Sequence, residues 1–152
     1  RRFADRVAVM GAGRLLQIGS RDEVWRRPNS MEVARFLGYW PFLGPADAAA
    51  IGVREVPEGT LLALAPDALR VDDAGVEVGV LDQQPRKEGV RVRVALPGDH
   101  VGSLLLPERL ASERVRVAVD ADATSVMPLA PNTVAAVITI AKNTIFAMLM
   151  PA

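Results

Sequence analysis

The sequence predicts a mainly β protein, a small antiparallel β barrel or sandwich preceded by a β-hairpin and two short helices. Two runs, Val90–Val94 and Val115–Val119, alternate apolar and polar residues, which is the two-residue period of a half-buried strand. Turn-forming residues separate the apolar runs at intervals of about 8–12 residues, a spacing typical of small all-β domains. The periodicity of a helix is confined to the first part of the chain.

The hairpin is predicted at the start of the sequence. Arg6–Met10 alternates as a strand, and the apolar run Leu15–Ile18 is the predicted return strand. Gly11, Ala12 and Gly13 lie between these runs, and glycine-rich segments flanked by apolar strands favour tight turns.

Two short helices are predicted to follow the hairpin. Ser20 and Glu23 have the spacing of a capping box, which predicts a helix over Arg21–Arg27 that Pro28 ends. A second N-cap lies in residues 29–32, and Gly38 is a natural helix stop. The second helix has an apolar stripe with three members: Val33, Phe36 and Leu37.

From residue 39 the sequence predicts a linker of irregular structure to residue 51, followed by strands and turns. The predicted strands beyond Gly52 are Leu61–Leu64, Leu69–Val71, Val76–Leu81, Val90–Val94, Val101–Leu106 and Val115–Val119. Asp72–Gly75 is predicted to close a hairpin, Gln83–Gly89 to form a polar loop, and Leu96–Asp99 to form a type II turn.

The tail, residues 131–152, is apolar and carries one charged residue, Lys142, between Thr133 and Met150. Its length approaches that of a membrane-spanning helix, but threonines and Asn143 interrupt the apolar run. The alternatives are one or two further strands, a packed helix, or residues foreign to the natural protein. The β-branched residues of Val134–Ile140 favour a strand.

Composition narrows the function classes. Eighteen basic and eighteen acidic residues cancel, so charge gives no reason to expect a nucleic-acid or anionic-membrane partner. The chain has no cysteine, which excludes disulfides and thiol chemistry, and no secretory signal opens it.

The titratable residues form no catalytic or metal-binding pattern. His100 is the only histidine and is predicted to be a surface residue at a strand start, with no second ligand for a metal. No serine lies in a nucleophile-elbow motif. Four arginines lie on the outer faces of two predicted strands: Arg91, Arg93, Arg114 and Arg116. Without an aromatic stacking platform they favour a solvated face over oligonucleotide binding.

The first 38 residues resemble the end of the ATPase domain in the ATP-binding subunit of an ATP-binding-cassette (ABC) importer. The residues that carry the resemblance are Ala4–Met10, Gly13–Leu15, Gln17–Gly19, Glu23–Pro28 and Val33–Gly38. They match the family's pattern of "ADRV", a hairpin of the form "VAVM..GRL.Q.G", and "EVW.RP....VA.FLG".

The following residues resemble the transport-associated OB-type (TOBE) domain of the same subunits. Leu62–Val71 resembles the family phrase "v.iRPE.l.l", although Ala65 replaces the usual Arg and Asp67 the usual Glu. Val115–Leu129 resembles the closing strand pair of these domains. The resemblance implies an OB-like barrel.

The resemblance implies four segments: an ATPase-domain remnant (1–38), a linker (39–51), a TOBE/OB-like regulatory domain (52–130) and the tail (131–152). It implies a C-terminal fragment that is not itself an enzyme, although the parent subunit would be a transport ATPase. The fragment lacks the phosphate-binding pattern GxxxxGK[ST], so no cofactor is expected on it, and ATP and magnesium would bind an ATPase domain upstream.

The expected role is regulation and pairing. We expect a homodimer, an ATPase domain in the same chain, membrane permease subunits as partners, no nucleic acid, and a cytoplasmic location at the face of the membrane. The alternative function is a module that binds a small oxyanion such as molybdate or sulfate, which some relatives bind in these β domains. Thr124 and Ser125 are the candidate residues for that site.

Overall fold

The computed structural model describes residues 6–128, 135–140 and 146–147. Its elements in chain order are β1 (Arg6–Gly11), β2 (Arg14–Ser20), α1 (Arg21–Arg26), α2 (Met31–Phe36), β3 (Phe42–Leu43), α3 (Pro45–Ala50), β4 (Thr60–Leu64), β5 (Leu69–Arg86), β6 (Gly89–Leu96), β7 (His100–Leu106), β8 (Arg114–Val119), a 3-10 turn (Ala121–Ala123), β9 (Thr124–Pro128), β10 (Ala135–Ile140) and β11 (Phe146–Ala147). The predicted fold class is confirmed: the protein is mainly β, with antiparallel sheets, an early hairpin and few short helices.

The chain divides into two compact units. The first unit comprises residues 1–39 and 127–152, and the second comprises residues 40–126. The predicted domain boundaries stay a prediction.

The first unit contains a four-stranded sheet in the order β11-β10-β1-β2. The hairpin of β1 and β2 is confirmed, and its turn places Ala12 and Gly13 at φ of 51° and 75°. β1 lies between β2 and β10, and its residues Val7, Ala8 and Val9 are all buried. Val24 of α1 and Val33 of α2 complete this core.

Both helices of the first unit begin as predicted. The Ser20 hydroxyl accepts a hydrogen bond from the Glu23 N–H at 3.2 Å, and the Ser30 hydroxyl accepts one from the Val33 N–H at 3.3 Å. These bonds satisfy N–H groups that the first helical turn leaves without a backbone acceptor. Gly38 follows α2 with φ of 91°, in agreement with the predicted stop.

The second unit contains a sheet in the order β7-β6-β5-β8, and most of a second sheet in the order β3-β4-β9. The alternation predicted for β6 is confirmed, since Val92 and Val94 are fully buried while Arg91 and Arg93 are exposed. Val117 of β8 is likewise fully buried. None of the three sheets closes on itself in the described residues, so the OB-like barrel stays a prediction.

One strand replaces the hairpin predicted at Asp72–Gly75. Val71 and Val76 both lie opposite Val117, and β5 runs in the same direction along β8 before and after them. The residues between therefore form a bulge instead of reversing the chain, and the Ala74 N–H donates to Asp72 Oδ1 at 2.9 Å within it. The hairpin prediction was wrong because both halves of β5 pair with the same strand.

The polar loop predicted over Gln83–Gly89 is also mostly strand. β5 continues to Arg86 and β6 begins at Gly89, so that Lys87 and Glu88 alone form the turn. Most side chains in this hairpin, formed by the end of β5 and the start of β6, are exposed. An exposed hairpin lacks the alternation of apolar and polar residues that predicts a strand.

The linker predicted over 39–51 was wrong in expecting irregular structure. It contains β3, which pairs with β4, and α3, which begins with Pro45 and is followed by Gly52 at φ of 97°. A two-residue strand and a six-residue helix are too short to show a periodic pattern.

The remaining predicted strands are confirmed. Gly98 adopts the φ of 78° that the predicted type II turn needs. In the tail, β10 pairs antiparallel with β1, and Gly11 lies opposite Ala135. This agrees with the alternative of further strands; the rest of the tail prediction lies outside the described residues. The described residues contain no helix that is long and apolar enough to cross a membrane.

Candidate functional site

The two residues predicted to bind an oxyanion, Thr124 and Ser125, are the first residues of β9. Thr124 Oγ1 donates a hydrogen bond to the Ala121 carbonyl at 2.9 Å. Successive residues of a strand point to opposite faces, so the structure does not bring the two hydroxyls together on one face. The oxyanion site stays a prediction.

Three of the four outward arginines contact neighbours in their own sheet. Arg114 Nε donates to Glu77 Oε2 at 2.7 Å, and Arg116 Nη1 donates to the Gly75 carbonyl at 2.9 Å. Arg93 donates to Asp82 Oδ2 through both Nε and Nη2. This pair lowers the pKa of Asp82 below its ordinary value, chiefly through the hydrogen bond from Arg93. Because these arginines are paired within their own sheet, their arrangement favours the solvated face that the sequence predicted.

His100 has a partner that the sequence does not indicate. Its Nε2 lies 3.3 Å from Oδ2 of Asp47 in α3, and both side chains are partly exposed. A separation of 53 residues leaves no local pattern from which this pair could be predicted. No group of three or more His, Asp or Glu side chains in the described residues could hold a metal ion.

A cleft of about 620 Å³ lies between residues 80–83 of β5 and the connection from β7 to β8. One wall is Val80–Gln83, and the other is the loop Arg109–Glu113. The side-chain amide of Gln83 joins the walls: its Nε2 donates to the Leu110 carbonyl at 3.0 Å, and its Oε1 accepts from the Leu110 N–H at 2.7 Å. The Val80 N–H also donates to the Glu113 carbonyl at 2.8 Å.

The lining of this cleft is both apolar and charged. Leu81 is 51% exposed and Leu110 lies on the facing wall. Arg109 and Glu113 are exposed, and neither side chain makes a hydrogen bond or ion pair within the described residues. Asp82 also lines the cleft, and its Oδ1 is buried without a hydrogen-bond partner in that part of the chain.

The amino-acid sequence does not indicate this cleft. Its only local signal was the polar composition of residues 82–88, which equally fits an exposed turn. The cleft exists because Gln83 contacts Leu110, 27 residues away. A smaller recess of about 220 Å³ lies at the other end of the same hairpin and includes Arg86, Arg91 and Ser103.

Comparison with known proteins identifies the class to which the chain is related. No protein-family model matches it. It is 41% identical over 114 residues to an Fe(3+) ions import ATP-binding protein of Streptomyces avermitilis, a match that covers 70% of this chain and 31% of the relative. It is 33% identical over 134 residues to an sn-glycerol-3-phosphate import ATP-binding protein of Rhizobium johnstonii, covering 64% of this chain and 39% of the relative.

The chain is also 60% identical over 37 residues to a molybdate/tungstate import ATP-binding protein of Thermococcus kodakarensis. This shorter match covers 24% of this chain and 11% of the relative. The chain is thus homologous to the ATP-binding subunits of ABC importers, and the resemblance found in its sequence is confirmed. It spans about a third of the length of the curated relatives that it matches over most of its own length.

Proposed function

We propose that the chain is a non-catalytic, C-terminal regulatory and assembly part of an ABC importer's ATP-binding subunit. The observation that carries the proposal is the 41% identity over 114 residues to an import ATP-binding protein, of which the match covers 31%. The 152 residues contain no GxxxxGK[ST] pattern, and nucleotide-binding loops of this class wrap phosphates with that glycine-rich backbone and its lysine. ATP and magnesium would then bind elsewhere in the parent subunit, which would be the transport ATPase.

The assembly role has structural support in the first unit. β2 is the outer strand of its sheet in the described residues, so one row of its backbone groups lacks a neighbouring strand within that sheet. Leu15 and Ile18 on this strand are 55% and 42% exposed. An exposed apolar edge strand favours pairing with another polypeptide, and a symmetric pair of identical chains is the commonest closed arrangement.

In the parent complex, this pairing would hold two ATPase bodies together while they open and close at the cytoplasmic face of the membrane, against the permease subunits. The relatives are named for three different solutes: Fe(3+), sn-glycerol-3-phosphate and molybdate/tungstate. We therefore propose that the parent complex imports a small solute.

Sedimentation of the chain at tens of micromolar tests the assembly role. We expect a species heavier than the 16.3 kDa monomer, and we expect Leu15→Lys to shift it towards the monomer because a charge on an edge strand opposes pairing. Val71→Lys is the matched control, since Val71 is 44% exposed but lies on β5, an inner strand of its sheet. A single monomeric boundary for the unmodified chain would reject the assembly role.

Titration with Mg-ATP tests the non-catalytic role separately. We expect no binding tighter than about millimolar, because a dissociation constant of 1 mM corresponds to about −4 kcal/mol and no phosphate-binding loop is present to supply it. Saturable binding in the micromolar range would contradict this part of the proposal.

A further inference from the structure

We propose that the cleft between β5 and the loop Arg109–Glu113 binds a zwitterionic α-amino acid with an apolar side chain. Its volume of about 620 Å³ lies within the range of about 300–1,000 Å³ that small-molecule sites occupy. Binding is measured on the chain itself, so this proposal does not depend on the assembly role proposed above.

The cleft is held open by contacts that do not involve its charged side chains. Gln83 bonds both the N–H and the carbonyl of Leu110, and the Glu113 carbonyl accepts from the Val80 N–H. The loop is therefore tied to β5 at Leu110 through the Gln83 side chain and at Glu113 through the backbone. A wall that is already ordered loses less conformational entropy when a ligand binds.

The charges of the cleft match the two ends of an amino acid. The Arg109 guanidinium can donate two parallel hydrogen bonds to a carboxylate, and the Glu113 carboxylate can accept from an ammonium group. Neither side chain has a hydrogen bond or ion pair within the described residues, so a ligand need not displace an existing one. A purely anionic ligand would lie beside the Glu113 carboxylate, and a purely cationic ligand would lie beside the Arg109 guanidinium.

The Ser112 hydroxyl also fits the same ligand. The Ser112 oxygen accepts from the Arg114 N–H at 3.1 Å, which leaves its hydroxyl proton as a donor for a carboxylate. Leu81 and Leu110 supply apolar surface for the ligand's side chain.

Calorimetric titration of the 152-residue chain with L-leucine tests the proposal. We expect saturable binding, and we expect Arg109→Gln and Glu113→Gln each to raise the dissociation constant about tenfold, as the loss of one charge-assisted bond predicts. Arg54→Gln and Glu55→Gln, on exposed residues outside the lining of the cleft, are the matched controls and should leave the constant unchanged.

Two analogues assign each charge of the ligand to its partner. Leucine amide lacks the carboxylate, so its binding should be weaker than that of leucine and insensitive to Arg109→Gln. N-acetyl-leucine lacks the ammonium, so its binding should be insensitive to Glu113→Gln. Thermal unfolding of both variants should match that of the unmodified chain, which separates a binding loss from a folding defect.

The proposal is overturned if leucine does not bind at concentrations up to about 10 mM. A dissociation constant of that size corresponds to less than about 3 kcal/mol of binding free energy. Binding that Arg109→Gln and Glu113→Gln leave unchanged also overturns the proposal. So does equal weakening of binding by the Arg54 and Glu55 controls, since a general charge effect would then explain the loss.

Discussion

Oδ2 of Asp47 lies 3.3 Å from Nε2 of His100 and joins α3 to the first residue of β7. The same carboxylate lies against Gly98, where an added Cβ would overlap it. The turn before β7 therefore packs against α3 at Gly98. This residue also has φ of 78°, a left-handed conformation that glycine adopts without strain.

Gly98→Ala tests this packing. We expect the variant to lose about 1 kcal/mol of unfolding free energy from the left-handed backbone alone, and a further loss because Asp47 must leave His100. In an Asp47→Ala background, the same substitution should cost less, since the overlap is gone. Urea unfolding of the two single variants and the double variant measures the coupling, and fully additive costs would contradict the packing.

Gly75→Ala tests the bulge of β5. A Cβ on Gly75 would overlap the carbonyl of Val117, a backbone atom held in the sheet, and we expect a loss of about 2 kcal/mol, as for other overpacked sites. Gly79→Ala in the same strand is the matched control, because a Cβ there meets nothing within 4 Å. Equal stabilities of the two variants in urea unfolding would show that the bulge is not packed as described.

Gln83→Ala tests the attachment of the loop that forms one wall of the cleft. It removes both hydrogen bonds to Leu110, and we expect a cost of about 2 kcal/mol because partly buried backbone groups lose their partners. Hydrogen exchange at the Leu110 amide should quicken. Gln84→Ala is the control, since the Gln84 side chain accepts a hydrogen bond from the exposed Arg86 and its loss should have little effect. Unchanged exchange at Leu110 would argue against the attachment.

The Asp82–Arg93 pair predicts an acid-dependent contribution to stability. Because the hydrogen bond from Arg93 lowers the pKa of Asp82 in the folded state, this contribution is present above the ordinary pKa of 3.8. It is lost as the pH falls through the lower folded-state pKa. NMR titration of the Asp82 carboxyl should show a midpoint below 3.8, and Arg93→Gln should raise that midpoint. An unchanged midpoint in the variant would contradict the cause assigned to the shift.

The alternative function, oxyanion binding at Thr124 and Ser125, is tested by thermal unfolding with molybdate, tungstate, sulfate or phosphate. A bound anion at 100 times its dissociation constant would stabilise the chain by about 2.7 kcal/mol. Because the two residues occupy adjacent, oppositely facing positions of β9, we expect no such increase. Stabilisation that Thr124→Val and Ser125→Ala both abolish would instead establish the site.

The parts of the fold that the sequence predicted depend on neighbours along the chain. Ser20 and Ser30 cap helices three residues ahead of the N–H groups that they bond. Gly13 and Gly98 allow turns between adjacent strands, and the alternation around Val92 and Val117 marks one buried face. Each of these signals is contained within a few residues, and the physical preference it reflects acts over the same distance.

The parts that only the tertiary structure decided depend on residues far apart in the chain. Asp72–Gly75 has the composition of a turn, yet it bulges because both halves of β5 pair with β8. The same holds for the pairing of β1 with β10, for His100 with Asp47, and for the cleft that Gln83 and Leu110 form. Local sequence determined the helix caps, the turns at Gly13 and Gly98 and the alternating strands. Long-range hydrogen bonding and burial decided which elements meet and which turn-like segments are strand, because those free energies exist only once the chain has folded.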